Sequence, residues 1–198
     1  IISNIINDMG GFYIGRYEIG VPDVTSEIGY NIDTIGESEM KIPSVKKGKE
    51  ILTLDNVSYN INAAYISQND ARSNLLLGTA YDTTMRWLKQ SGYNVEGDSS
   101  LYGNYSDESG NGSLKLSGSN ENWKMNNIYD LAGNIAELTI DETYVNKDNN
   151  VRFKKDEFIV RGGSYKDKGN EVSVSSRNNV SRDNVSDVGS RLLVVVGN

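Results

Sequence analysis

The 198-residue sequence contains no cysteine and no histidine. Without cysteine there is no disulfide, no thiolate nucleophile and no thiolate metal site. Without histidine there is no Ser–His catalytic pair, no imidazole base and no histidine zinc site. The scattered aspartates show no spacing typical of a glycosidase pair. These absences remove the commonest routes to catalysis, and the sequence predicts a protein that is not an enzyme.

Long apolar runs are also lacking. No stretch approaches the roughly 20 apolar residues that span a bilayer, so no membrane insertion is expected. The start, Ile1 to Ile6, has neither the basic residues nor the cleavage pattern of a signal peptide. Because residue 1 is not methionine, we expect a processed chain or a piece of a longer polypeptide.

Positive charge is scarce as well. The net charge is −7 and the sequence pI is about 4.7. The strongest basic cluster, Lys46 to Lys49, is too short to offset repulsion from a phosphate backbone. Nucleic acid is therefore not an expected partner.

Proline is rare and glycine common, at 2 and 20 residues, and asparagine and serine are frequent. This composition predicts much irregular backbone. Hydrophobic residues make up 37% of the chain, which is enough for a core, and no linker separates two halves. We expect one α+β domain over residues 1–198.

Local patterns predict two helices. The better one runs from Thr79 to Lys89, with Tyr81, Thr84, Met85 and Leu88 on one buried face. Thr79 is its expected capping residue, and Gly92 lies just beyond its end. A weaker helix is predicted from about Asn62 to Arg72. Trp87 and Trp123 are the two residues that could stack on a sugar, and the helix position of Trp87 favours burial in the core.

Glycine-bounded or apolar stretches predict the strands. The strands are expected near residues 12–19, over 158–161 and 172–174, and over 191–196, with the last central in its sheet and pairing close to the first. Residues 21–50 are expected to be loop with at most short strands. The Gly-, Ser- and Asn-rich stretch 94–122 has almost no apolar periodicity and is predicted to be a long surface excursion.

Five segments occur in an order that resembles the formylglycine-generating enzyme (sulfatase-modifying factor) family. They are GFYIGRYE from Gly11, LGTAYDTTMRW from Leu77, NIYDLAGNIAE from Asn127, VRGGSY from Val160 and GSRL from Gly189. The resemblance covers nearly the whole chain. It implies a C-type-lectin-like fold, with one or two helices, a small twisted antiparallel sheet and much irregular loop.

The resemblance also bears on metals. The family's enzymes bind copper through two cysteines, whose positions fall near Asp167 and Val172 here, so copper chemistry is excluded for want of ligands. Family members also wrap a structural calcium ion with the segment matching 130–137. The implied ligands are the side chains of Asp130 and Glu137 and the carbonyls of Gly133 and Ile135, a donor set of the kind that calcium prefers. The alternative is that both acids are ordinary turn and strand-edge residues.

The C-terminal third is the candidate binding segment. Between Ser164 and Ser190, 14 of 27 positions are Ser, Asn or Asp, and valines are interleaved among them. Valines can anchor a small scaffold while short polar side chains face outward and bond adaptably to a partner. The candidate ligand-binding residues are Tyr165, Lys166, Asp167, Asn170, Ser175, Arg177, Asn178, Asn179, Asp183, Asn184 and Asp187.

This tail is similar to the variable segment of diversity-generating retroelement proteins, in which asparagine codons are mutated to Ser, Asp, Gly or Tyr. The similarity implies a phage receptor-binding or related binding protein, on a virion or outside the cell, that recognises a protein or glycan on a cell surface. A homo-oligomer or a part of a larger virion protein is compatible with it. An AT-rich genome, rich in Asn codons throughout, is the alternative explanation. The competing functions are a structural component of an assembly and an enzyme that uses the fold without cysteines.

Overall fold

A computed structural model describes most of the chain. The described residues are 11–20, 44–54, 67–68, 71–106, 112–141, 144–147, 150–153, 157–181 and 183–196. They form an α+β structure with one α-helix and twelve short strands in this part of the chain. The helix is α1 (Gly78–Gln90), and a 3-10 helix spans Ser100–Tyr102. The strands are β1 (Phe12–Ile14), β2 (Ser67–Gln68), β3 (Ala71–Leu75), β4 (Lys124–Met125), β5 (Ile128–Tyr129), β6 (Ala136–Thr139), β7 (Tyr144–Lys147), β8 (Asn150–Phe153), β9 (Glu157–Arg161), β10 (Arg177–Ser181), β11 (Val188–Gly189) and β12 (Leu192–Val196).

The first sheet joins the two ends of the described chain. Its order is β1-β12-β3-β2, and all pairs are antiparallel. Phe12 lies opposite Val195, which confirms the predicted pairing of the first strand with the last. β12 is central, as predicted, but its faces differ, because Leu193 and Val195 are buried and Leu192 is half-buried.

The helix follows its sequence pattern closely. The predicted inward residues Tyr81, Thr84, Met85 and Leu88 are all buried, and Gly92 adopts a φ of 95° just after the helix. Each of the large apolar side chains contributes about 1.5–3 kcal/mol by leaving water. The expected capping residue is wrong, because Thr79 does not cap the helix.

Capping comes instead from a distant acid. The N-cap residue is Leu77, whose side chain cannot form a hydrogen bond, and Asp141 accepts a hydrogen bond from the Gly78 N–H at 3.1 Å.

The predicted burial of Trp87 in the core is also wrong. Trp87 is 46% exposed because its helix position lies outside the apolar stripe, whereas Trp123 is buried.

The second sheet carries the C-terminal segment. Its order is β10-β9-β6-β11, with β11 parallel to β6 and the other pairs antiparallel. The predicted strand at 158–161 is confirmed by β9. The strand predicted at 172–174 is wrong, because these residues form turns and the strand begins at Arg177. The prediction of one small antiparallel sheet is also too simple, since two four-stranded sheets form and one is mixed.

Two further local predictions fail for tertiary reasons. The helix predicted from about Asn62 to Arg72 is wrong where the structure describes it, because residues 67–68 and 71–75 pair as strands. Residues 62–66 lie outside the described residues, as do 21–43. The stretch 94–122 is not a mere surface excursion, since Val95, Asn104 and Tyr105 are buried.

The core consists of two clusters on either side of β12. The first gathers the inner face of α1 with Leu193 and Val195. The second gathers Ile19, Leu52 and Val160 with residues of β6, and Leu192 packs against it. Alternate side chains of β12 therefore serve different clusters, which is why its continuous apolar sequence is needed.

Candidate functional site

The structure separates the eleven candidate binding residues into two groups. Seven are exposed: Lys166, Asn170, Arg177, Asn178, Asn179, Asp183 and Asn184. Four are half-buried: Tyr165, Asp167, Ser175 and Asp187. The first group can contact a partner directly, and the second group holds the segment in place.

Strand β10 forms the main part of this face. It lies at one end of the order of the second sheet, and within the described residues only β9 pairs with it. Arg177, Asn178 and Asn179 are exposed, so side chains on both faces of the strand reach solvent. Asn179 donates to Glu157 of β9 at 3.0 Å. Such an edge displays polar side chains and unpaired backbone groups together.

A polar clasp fixes the turns beside the strand. The Ser164 hydroxyl lies 3.1 Å from a carboxylate oxygen of Asp167 and 2.9 Å from one of Asp187. Lys166 reaches the other oxygen of Asp187 at 3.3 Å and donates to Ser186 at 2.8 Å. The clasp brings residues 164–167 and 186–187 together and uses Asp167 and Asp187 as supports.

The valines of this segment anchor it, as the sequence predicted. Val174 and Val188 are buried, and Val180 and Val185 pack against the second cluster. Polar side chains between them remain in solvent, so the segment has a fixed apolar underside and an exposed polar surface.

Two side chains from elsewhere tie the segment to α1 and β9. The Tyr81 hydroxyl donates to the carbonyl of Val174 at 2.7 Å. Arg161 donates to Asp82 at 2.6 Å and to the carbonyl of Ser175 at 3.1 Å, and its guanidinium lies 4.7 Å from the centroid of the Tyr81 ring. The turns before β10 are therefore held at two points.

Beneath the strands lies a fully buried ionic cluster. Arg191 donates to Glu137 at 2.5 Å and to the carbonyls of Gly15 and Tyr129 at 2.9 and 2.8 Å. Glu18 is buried beside it and accepts from the Asn134 amide at 2.6 Å. Asp130 is the third buried acid and accepts from the Gly118 N–H at 2.5 Å. The guanidinium of Arg191 thus bonds one of the three carboxyl groups and acts on the other two through its charge.

Burial dominates the protonation of these acids. It raises the pKa of Asp130 to about 6, against the Gly118 N–H and Arg191, which favour the ionised form. It raises the pKa of Glu137 to about 7 despite the Arg191 contact, and it raises the pKa of Glu18 well above the usual range. Burial alone would lower the pKa of Arg191, but the surrounding carboxylates outweigh it and raise that pKa.

The four residues implied as calcium ligands lie in and around this cluster. Gly133 and Asn134 both adopt left-handed conformations, with φ of 66° and 56°, which form the tight turn expected there. One oxygen of Asp130 and one of Glu137 are buried without a hydrogen-bond partner. Ile135 is buried and its N–H points to Glu18 at 3.3 Å. Within the described residues, no group of three or more acids is placed to hold a metal ion.

Sequence reasoning missed Glu18, Tyr81 and Arg161 as positioning residues. Glu18 and Arg161 lie within two of the five segments that resemble the formylglycine-generating enzyme family. A charged side chain among apolar neighbours was the feature of the sequence that could have identified them. Asn104 was missed for a different reason. It lies in the polar stretch 94–122, and yet it is buried and donates to Asn134 at 2.9 Å.

The fold defines an α+β protein with an exposed polar C-terminal face. No family model matches the sequence and no curated protein matches it. Among solved structures, the chain is similar to Treponema denticola variable protein 1, with 20% identity and a TM-score of 0.44, covering 71% of this chain and 58% of that one. It is also similar to CarF, with 21% identity and a TM-score of 0.43, covering 63% of this chain and 48% of that one.

The chain thus spans less than two thirds of the length of either of these structures. Its resemblance to the formylglycine-generating enzyme family stays a prediction from the sequence motifs. In the described part of the chain, no helix has the length and apolar character required to cross a membrane.

Proposed function

We propose that this chain is a non-catalytic binding protein that recognises a protein or glycan on a cell surface through residues 164–187. The observation that carries the proposal is β10, an edge strand whose Arg177, Asn178 and Asn179 are all exposed. A strand that serves only the core would bury one of its faces.

The chemistry of the face suits recognition. Its seven exposed candidate residues carry four amides, one carboxylate and two cationic groups, which donate and accept hydrogen bonds in many directions. Its supports are fixed by the Ser164 clasp, the buried valines and the contacts of Tyr81 and Arg161. A fixed scaffold lowers the entropy that a surface loses when it binds.

The division between exposed polar residues and the buried residues that support them favours a variable protein as the class. Changes at exposed positions such as Asn178, Asn179 and Asn184 would leave Val174 and Val188 and the core unaltered. A face of this kind tolerates diversification because its stability depends on residues beneath it. We propose a retroelement-diversified or phage receptor-binding role on this basis, with a location on a virion or outside the cell.

The enzyme alternative has less support. Asp130 and Glu137 have the raised pKa values that acid–base catalysis uses, but both are buried at 0% exposure. A substrate could not reach them without opening the core.

Binding should be tested on arrays of glycans and of host-surface proteins. The variant changes four exposed residues of the face to alanine: Asn178, Asn179, Asp183 and Asn184. The matched control changes four exposed residues elsewhere to alanine: Glu50, Arg86, Gln90 and Ser119. We expect the wild type and the control to bind one target, and the face variant to lose it while keeping its circular dichroism and its urea midpoint.

Equal binding by all three proteins would refute the assignment of the face. Absence of any binding would favour a structural role in an assembly.

We further propose that calcium is structural here, held by Asp130 and Glu137 with the carbonyls of Gly133 and Ile135. The support is the unpartnered oxygen on each acid and the excess of carboxyl groups over cations in the cluster. At pH 8, calcium should raise the melting temperature relative to EDTA, since a ligand that binds only the folded state stabilises it. Magnesium is the control. The proposal fails if calcium and EDTA give the same melting temperature.

A further inference from the structure

A concave surface lies outside the C-terminal face. It is a groove of about 630 Å³ between the segment after α1, the 3-10 helix and the β4–β5 hairpin. Its walls include Tyr93, Leu101, Tyr102, Asn122, Lys124 and Asn127, and none of the described residues of 164–187 lines it. The groove is therefore separate from the C-terminal face.

One wall of the groove is aromatic and held in place. The rings of Tyr93 and Tyr102 pack edge to face, with centroids 5.7 Å apart and an angle of 76° between their planes. Both are half-buried and pack against the first core cluster. The Tyr93 hydroxyl accepts the Asn126 N–H at 3.1 Å, which ties this wall to the hairpin. Leu101, 73% exposed, extends the apolar surface at the rim.

The opposite wall offers side-chain amides. Asn126 and Asn127 form the two-residue turn between β4 and β5, with φ of 47° and 66°. Both φ values are positive, which fits a tight hairpin turn and explains why asparagine suits these positions. The turn does not require the side chain of Asn127. That side chain is exposed and lines the groove, and so does the side chain of Asn122. An amide both donates and accepts hydrogen bonds.

The charges at the groove are already compensated. Glu121 pairs with Lys47, accepts from Lys124 at 2.9 Å and accepts from the Tyr129 hydroxyl at 2.6 Å. Glu121 and Lys124 are the two charged residues among the described lining residues, and they are bonded to each other, so this lining has no net charge to attract a phosphate or a carboxylate. A neutral ligand with many hydroxyl groups and apolar ring faces fits best.

We propose that this groove binds a neutral oligosaccharide. The apolar face of a sugar ring packs against the Tyr93–Tyr102 wall, because an aromatic side chain combines a large apolar surface with a fixed orientation. The sugar hydroxyls exchange hydrogen bonds with the amides of Asn122 and Asn127. The site is independent of the C-terminal face, and the proposal does not depend on the function assigned to that face.

Tryptophan fluorescence can report occupancy. Trp123 is buried and lies between the lining residues Asn122 and Lys124 in the sequence, and a Trp87→Phe background removes the only other tryptophan. The probes are chitotriose, cellotriose and maltotriose, each titrated to about 10 mM, which covers dissociation constants into the millimolar range. We expect at least one trisaccharide to give a saturable change.

Two variants locate the site. Leu101→Arg places a long cation in the groove from an exposed position and should weaken binding by at least about tenfold. Leu116→Arg is the matched control, because Leu116 is also exposed, at 46%, and does not line the groove. Asn127→Gly keeps a residue suited to the positive φ, removes the amide and should weaken binding by about threefold.

The C-terminal face variant should bind the trisaccharides as the wild type does, so failure of one proposal leaves the other intact. If no trisaccharide changes the fluorescence, or if Leu101→Arg binds as tightly as Leu116→Arg, the groove proposal is wrong.

Discussion

Arg191 offers the sharpest test of how this core is held together. Its side chain is fully buried and joins three segments, through Glu137 of β6, the carbonyl of Gly15 after β1 and the carbonyl of Tyr129 in β5. Arg191→Met removes the charge and all three hydrogen bonds while keeping an apolar chain of similar reach. It leaves Glu137 without its bonded cation and removes the cation that favours the ionised forms of Glu18 and Asp130.

The expected loss of folding free energy follows from that geometry. Removing one partner of a buried ion pair costs about 3–5 kcal/mol, because the remaining charge is uncompensated. For a chain of this length, 1 kcal/mol shifts the melting temperature by about 2–4 °C, so we expect a fall of about 6–20 °C. Adding Glu137→Met should recover part of the loss, because no unpaired charge remains at that position.

The assay is urea unfolding at pH 7, with Arg86→Met as the control. Arg86 is exposed on α1, and its replacement should change the free energy of unfolding by less than about 0.5 kcal/mol. The reasoning is refuted if Arg191→Met costs less than about 1 kcal/mol, or if the double variant loses the full sum of its two single variants.

Three further outcomes are expected. Because burial raises the pKa of Asp130 from 3.8 to about 6, its stabilising contribution is complete below the lower value and is lost as pH rises through the higher one. In EDTA, unfolding free energy should therefore fall by about 2 kcal/mol from this group between pH 4 and 8, and Asp130→Asn should remove that part of the slope in urea titrations. Tyr81→Phe deletes the 2.7 Å bond to Val174 and should cost about 1–2 kcal/mol in thermal melts, whereas Tyr13→Phe, at an exposed position, should be neutral; equal melting curves would contradict this. Gly103→Ala places a Cβ 1.7 Å from the Ala132 carbonyl oxygen and should abolish the native circular dichroism, whereas Gly48→Ala meets open space and should cost only about 1 kcal/mol for its positive φ; similar spectra and stabilities for both variants would show that the close approach at Gly103 is unimportant.

Local sequence patterns determined the elements with strong periodicity. The sequence predicted both the buried helical face of Tyr81, Met85 and Leu88 and the apolar strand that ends at Val196, because each pattern matches the geometry of one element. The valine-anchored tail was readable for the same reason. Its exposed and buried positions follow from side-chain type.

Tertiary contacts decided what these patterns do not encode. Trp87 is exposed and Trp123 buried, and residues 71–72 lie in a strand although the sequence predicted a helix there. The polar stretch around Asn104 enters the interior because hydrogen bonds from distant segments satisfy it there.

The sequence by itself determined the absence of cysteine and histidine, the strong apolar elements and the polar C-terminal segment. Only the tertiary structure placed β10 at a sheet edge, gathered Glu18, Asp130 and Glu137 around Arg191 and opened a groove beside Tyr93 and Tyr102. The physical reason is sequence distance. Propensity and periodicity act over a few residues, whereas Glu18 and Arg191 come together only when β12 pairs with β1.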